Sequence, residues 1–145
     1  MIERAEIARM VPHAGAMCLL DSVVAWDGMR IVCHSDRHHA TDNPLRVRDR
    51  LSAIHAIEFA AQAMAVHRCL TAEDGARPAY GMLVSVRQCA FSTDRLDAQG
   101  SPLVIEATRI ASTSDAFTYG FVVGASGAPI ARGRASILLV RGDAG

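Results

Sequence analysis

LSAIHAIEFAAQAMAVH, residues 51–67, decides the fold. It reads as a helix that is apolar or small nearly all the way round. Ile54, Ile57, Phe59, Met64 and Val66 alternate with Ala53, Ala56, Ala60, Ala61, Ala63 and Ala65. A helix apolar on every side belongs inside a fold. Ser52 is a fitting N-cap, and the pattern runs to about residue 70. Glu58 stands in the middle of this stretch. A buried carboxylate is costly unless it is paired, protonated or used in chemistry. His55 precedes it by three residues and Gln62 follows by four, which places all three on one helical stripe. His67 falls on the opposite face. An acid, an amide and an imidazole along one stripe form a candidate catalytic constellation.

Outward from the helix the chain reads as strands. Segments 17–26 and 29–35 flank Asp27-Gly28, a strong hairpin signal. Residues 3–9 form a short amphipathic helix with Ile7 inward, ended by Pro12. Residues 36–50 are polar and irregular, with a turn at Asn43-Pro44, and 73–78 is a loop. Strands follow at 80–91, 102–112, 116–125 and 129–140, with turns at 112–115 and at Ser126-Gly127. Two strands, one long helix and four strands with short links predict an α+β fold. Its antiparallel sheet wraps around one long central helix. The alanines allow the sheet to approach the helix axis closely.

At 145 residues the chain reads as a single domain, 1–145. Formal net charge is zero, which argues against nucleic-acid binding and favours self-association. No apolar run reaches the length of a membrane span, and the first residues lack a signal-peptide pattern. Cys18, Cys33, Cys69 and Cys89 have no metal-ligand spacing and read as reduced core residues of a cytoplasmic protein. Asp36, His38, His39 and Asp42 match no closed zinc pattern, so no metal is expected.

Three segments carry a resemblance to a known family. Residues 11–21, VPHAGAMCLLD, look like the opening LPHRxPxLLxD of β-hydroxyacyl-acyl-carrier-protein dehydratases. Ile57-Glu58-Phe59-Ala60-Ala61-Gln62 looks like their E-x-x-A-Q helix. His39-Ala40-Thr41-Asp42-Asn43-Pro44 is similar in part to their H-F-P-G-N-P, which holds a catalytic histidine. The helix is closest to dehydratase-like hotdog proteins of aryl polyene biosynthesis clusters. The chain departs from the pattern at Ala40-Thr41-Asp42, which replaces Phe-Pro-Gly. It also has a few extra residues before Glu58, including Arg46 to Arg50.

The resemblance implies a hotdog fold and dehydration of 3-hydroxyacyl thioesters. The substrate rides on the phosphopantetheine of an acyl carrier protein, and the protein needs no cofactor of its own. It implies a site between two subunits, in a homodimer or a heterodimer with another hotdog chain. Glu58 is then the acid and His39 the base, with Gln62 and Pro44 beside the substrate. His55, one helical turn from Glu58, competes for the base role. The amides of Ala53 and Ile54 are candidate donors to the thioester oxygen. Bland readings stand beside these. Glu58 could pair with an arginine of 46–50, and His38 and His39 could be solvated. His13 would place its loop, and His34 and His67 would be structural or exposed. The arginines at 46, 48 and 50 form a solvated rim that could also contact a carrier protein or its phosphate. Two alternatives to the dehydratase remain. One is a non-catalytic subunit supporting a partner dehydratase. The other is an acyl thioesterase, in which Glu58 activates water.

Overall fold

The computed structural model describes residues 1–11, 15–72 and 79–141. Pro12, His13 and Ala14 of the opening motif lie outside the described residues, as does the 73–78 loop. The elements are β1 (Ile2–Glu3), α1 (Arg4–Ile7), β2 (Ser22–Trp26), β3 (Arg30–Ser35), α2 (Ala56–Thr71), β4 (Ala79–Phe91), β5 (Leu103–Ser112), β6 (Ala116–Ala125) and β7 (Ala128–Arg141). The strands form one sheet in the order β1-β2-β3-β5-β6-β7-β4. Every neighbouring pair is antiparallel.

Among the described residues the sheet has seven strands where six are predicted, because Ile2 and Glu3 add a short rung on β2. The predicted strand over 17–26 is real only from Ser22. Ahead of it, residues 15–17 make a 3₁₀ turn. Residues 18–20 then run buried without a ladder. Local chemistry fixes the hairpins. Asp27 Oδ1 accepts the amides of Met29 and Arg30 at 2.8 and 2.9 Å, which closes the β2–β3 turn. Those bonds hold the Asp27 carboxyl below its usual range. Ser126 and Gly127, at φ 53° and 80°, supply the two left-handed residues that a tight hairpin between β6 and β7 requires.

Helix α2 lies across β3, β5 and β6. Phe59, Ala60, Ala63, Met64 and Val66 are buried against Ile31, Ile105, Tyr119, Phe121 and Val123. The alanines permit this close approach, and Phe59 and Met64 fill the space between. The helix is not covered all round, however. Ile54 is 57% exposed, and Glu58, Ala61, Ala65 and Cys69 continue the same open stripe. Strand β4 is an edge of the sheet. It leaves Leu83, Val84 and Phe91 exposed.

The cysteines divide. Cys18 and Cys33 are buried, with burial pushing the Cys33 thiol up to about 12, whereas Cys69 and Cys89 are exposed rather than core residues. All four are free thiols. Among the described residues no helix is long and apolar enough to cross a membrane.

Candidate active site

The start of α2 is built by two distant segments. Ser52 accepts the Ile54 amide at 3.3 Å, so the expected cap is present. It opens a 3₁₀ turn over Ala53–His55 before the α-helix begins at Ala56. Asp97 Oδ1 accepts the Leu51 amide at 3.1 Å, and the Leu96 amide donates to Leu51 O at 2.8 Å. Arg95 chelates Asp97, which together with the Leu51 amide lowers the Asp97 carboxyl to about 2.

One turn into the helix, His55 Nδ1 lies 3.3 Å from Glu58 Oε2. A contact of this kind needs a proton between the atoms. Either Nδ1–H donates to a carboxylate, or a protonated Glu58 donates its O–H to Nδ1 and the ring carries its proton on Nε2; the second state is the one in which Glu58 can act as an acid. Their side chains are 25% and 44% exposed, so Glu58 is not the buried carboxylate expected from the apolar helix. The physical reason is the open stripe: Glu58 points off the sheet rather than into the core. Its partner is His55 and not an arginine of 46–50. A cleft of about 190 Å³ adjoins His55, lined also by Leu45, Val47, Arg50, Ser52 and Arg95; Glu58 does not line it.

Gln62 departs from its expected place beside the substrate. It is only 6% exposed. Its amide spans Met17 O, to which Nε2 donates at 2.6 Å, and the Leu19 amide, which Oε1 accepts at 2.8 Å. Both ends are used, so Gln62 locks the 17–19 segment onto the helix. The amides expected to meet a thioester oxygen are also engaged. Ala53 donates to Asp94 O at 3.0 Å and Ile54 to the Ser52 cap. Pro44 is exposed in the loop ahead of the helix.

The paired histidines take different roles. His38 is fully buried, contrary to a solvated reading. Its Nε2 donates to Gly100 O at 3.0 Å, and its Nδ1 has no partner among the described residues. Burial holds this imidazole below the usual histidine range. His39 is exposed and stacks on His38 with centroids 3.9 Å apart. Its Nε2 donates to Gln99 O at 2.7 Å, which leaves the Nδ1 lone pair on an accessible ring. Nothing in the sequence near His39 signals that the carbonyls of Gln99 and Gly100, sixty residues away, would orient both rings.

His67 is buried at the other end of α2, as the structural reading requires. Nδ1 accepts the Tyr119 hydroxyl at 2.7 Å, and Nε2 donates to Asp27 O at 2.8 Å. Arg109 Nη2 donates to Tyr119 Oη at 3.0 Å and to Thr71 Oγ1 at 2.9 Å.

An antiparallel sheet packed on one long helix, with a carboxylate on that helix's open face, defines a hotdog protein. The chain belongs to the ApeP-like family, described as ApeP dehydratase, whose model matches residues 5–141. Among solved structures it is similar to the dehydratase heterocomplex ApeI:P from Xenorhabdus doucetiae. The TM-score is 0.77 at 23% identity, covering 93% of this chain and 91% of that one. It is also similar to thioesterase HI1161 from Haemophilus influenzae, with TM-score 0.67, 8% identity and coverage of 97% and 92%. A mutant of thioesterase PA1618 from Pseudomonas aeruginosa gives TM-score 0.58, 14% identity and coverage of 82% and 80%. These identities carry the fold alone. No protein of curated function matches the chain in sequence.

Proposed function

We propose that this single hotdog domain dehydrates 3-hydroxyacyl thioesters carried on an acyl carrier protein in the cytoplasm. The observation that carries the reading is Glu58 on the open face of α2, 3.3 Å from His55, in a chain of the ApeP-like dehydratase family. Glu58 delivers a proton to the 3-hydroxyl, which leaves as water. An imidazole takes the C2 proton, and the electron pair forms the C2–C3 double bond. His39 is the base in this reading, because its ring is accessible and oriented with Nδ1 free. His55 shares the Glu58 proton and is the competing base. The substrate's own phosphopantetheine arm takes the place of a cofactor.

The second subunit belongs to the proposal. Edge strand β4 offers an unpaired ladder and exposed Leu83, Val84 and Phe91, and the stripe from Ile54 to Cys69 lies uncovered. Such an edge is a pairing surface unless something blunts it. Another hotdog chain docked there, identical or different, would bury Glu58 and bring one chain's His39 toward the other's Glu58.

A second reading, a subunit that supports a catalytic partner, is favoured by the similarity to a dehydratase heterocomplex. The test is turnover of a 3-hydroxyacyl carrier protein by this chain, alone and mixed with a second hotdog subunit, read by mass as loss of water. His39→Ala and His55→Ala variants accompany it. Loss of activity in His39→Ala with the complex intact supports the proposal, and loss only in His55→Ala moves the base onto α2. Release of free acid instead of water turns the reading to a thioesterase. If wild type and both variants support the partner equally, the chain is a scaffold.

A further inference from the structure

The extra residues ahead of Glu58 fold into a closed turn. The Val47 amide donates to Arg50 O at 2.8 Å, and the Arg50 amide returns to Val47 O at 3.0 Å. Arg48 and Asp49 sit between them at φ 54° and 61°. Two left-handed residues between a mutually bonded pair make a tight hairpin that holds its own shape.

Arg46 leads into this turn and reaches back. Its Nε donates to Ala40 O at 2.8 Å, Nη2 to His38 O at 3.1 Å and Nη1 to Asp49 O at 3.1 Å. The first two acceptors are the carbonyls on either side of His39. Asn43, 4% exposed, tightens the same loop: Nδ2 donates to Arg37 O and Oδ1 accepts the Leu45 amide, both at 2.9 Å. Among the described residues Arg46 forms no ion pair, so its guanidinium serves the loop backbone rather than a carboxylate. A planar fork can serve three divergent carbonyls, while a lysine ammonium presents one point charge.

We propose that Arg46 is a positioning residue for His39: the 45–50 turn is a clip that grips the loop backbone on both sides of that histidine and fixes where its imidazole stands. The link from clip to turnover rests on the dehydration reading above, whereas the grip itself does not.

The experiment uses the full chain with its partner subunit and compares wild type, Arg46→Ala, Arg46→Lys and Asp49→Gly. Amide exchange is followed at His39, Ala40 and Asn43, whose N–H groups bond within the loop. Turnover and the thermal midpoint are measured on the same samples. Arg46→Ala is expected to speed exchange at these three amides by roughly tenfold or more, with α2 and β5 unchanged. It is expected to lower kcat by up to about 10²-fold with KM little changed, since a misplaced catalytic group costs rate rather than binding. Arg46→Lys keeps the charge and the stem, guards against a misfolded alanine variant, and is expected to restore neither readout. Asp49→Gly keeps the left-handed turn and is expected to behave as wild type. Unchanged exchange in both Arg46 variants overturns the clip. A rise in KM with kcat preserved overturns it in favour of carrier contact, and equal damage from Asp49→Gly shows that the turn rather than the fork matters. If wild type fails to dehydrate, the functional reading falls, and the exchange data still decide whether Arg46 grips the loop.

Discussion

The two ends of α2 carry the same residue types to opposite effect. At its C-terminal end His67 is fully buried, and both ring nitrogens are used, by Tyr119 and by Asp27 O. Arg109 completes the network through the Tyr119 hydroxyl. At the N-terminal end His55 and Glu58 meet at 3.3 Å with part of each side chain open. A polar group whose every bond is satisfied has nothing left to offer a substrate, and losing a partner there costs stability. A pair with an unused lone pair and open carboxylate oxygens costs little to disturb and is free to move protons. The difference separates polar residues that hold the fold from those placed to work.

The largest effect that could break this contrast is at Glu58. Glu58→Gln keeps the size of the side chain and removes the titrating group. Turnover is expected to fall by about 10²–10⁴-fold, the usual contribution of a general acid or base. The thermal midpoint is expected to stay close to wild type, because among the described residues this part-exposed carboxylate is held by His55 alone. Full turnover would make Glu58 a structural residue. Collapse of the fold would mean that the open end is as interlocked as the sealed one.

Tyr119→Phe probes the sealed end. It removes the hydroxyl that donates to His67 Nδ1 and accepts from Arg109, leaving buried polar atoms unpaired. The expected loss is roughly 1–3 kcal/mol of unfolding free energy. Turnover per folded molecule should be unchanged. Denaturant titration measures the first and initial rates the second. A rate loss without a stability loss would show that the two ends are coupled.

How legible these ends were in the sequence follows from the range of their interactions. The helix, its Ser52 cap and the Asp27-Gly28 and Ser126-Gly127 turns are local: the residues that signal them also make them. The His55–Glu58 pair is local too, one turn apart. Gln62 is not, because its acceptor and donor are at Met17 and Leu19, more than forty residues away. The burial of His38 depends on a carbonyl at Gly100, and the role of Arg46 on a turn that ordinary strand and helix patterns do not mark. The exposure of Glu58 was hidden for another reason. Alanine suits a face pressed against a sheet and also a face left bare, so Ala61 and Ala65 did not reveal which side of α2 lay open.

The smallest effect sharpens the contrast through pH. Burial holds both His67 and His38 below the ordinary histidine value of 6.5. In the unfolded chain each takes up a proton near 6.5, while in the folded chain it takes one up only at lower pH. Between those two values the unfolded state therefore binds more protons. The stabilisation is complete above 6.5 and is lost as pH falls below it toward the folded values. Each group limits the slope to about 1.4 kcal/mol per pH unit. Asp97 adds a separate loss at lower pH, between 3.8 and about 2, where Arg95 and the Leu51 amide still favour its charged form. Denaturant midpoints measured downward from neutral pH should fall first in the histidine window. His67→Gln should remove part of that fall, although its starting stability is lower. A stability that is flat or rising as pH drops through 6.5 would mean that burial does not keep these two rings neutral.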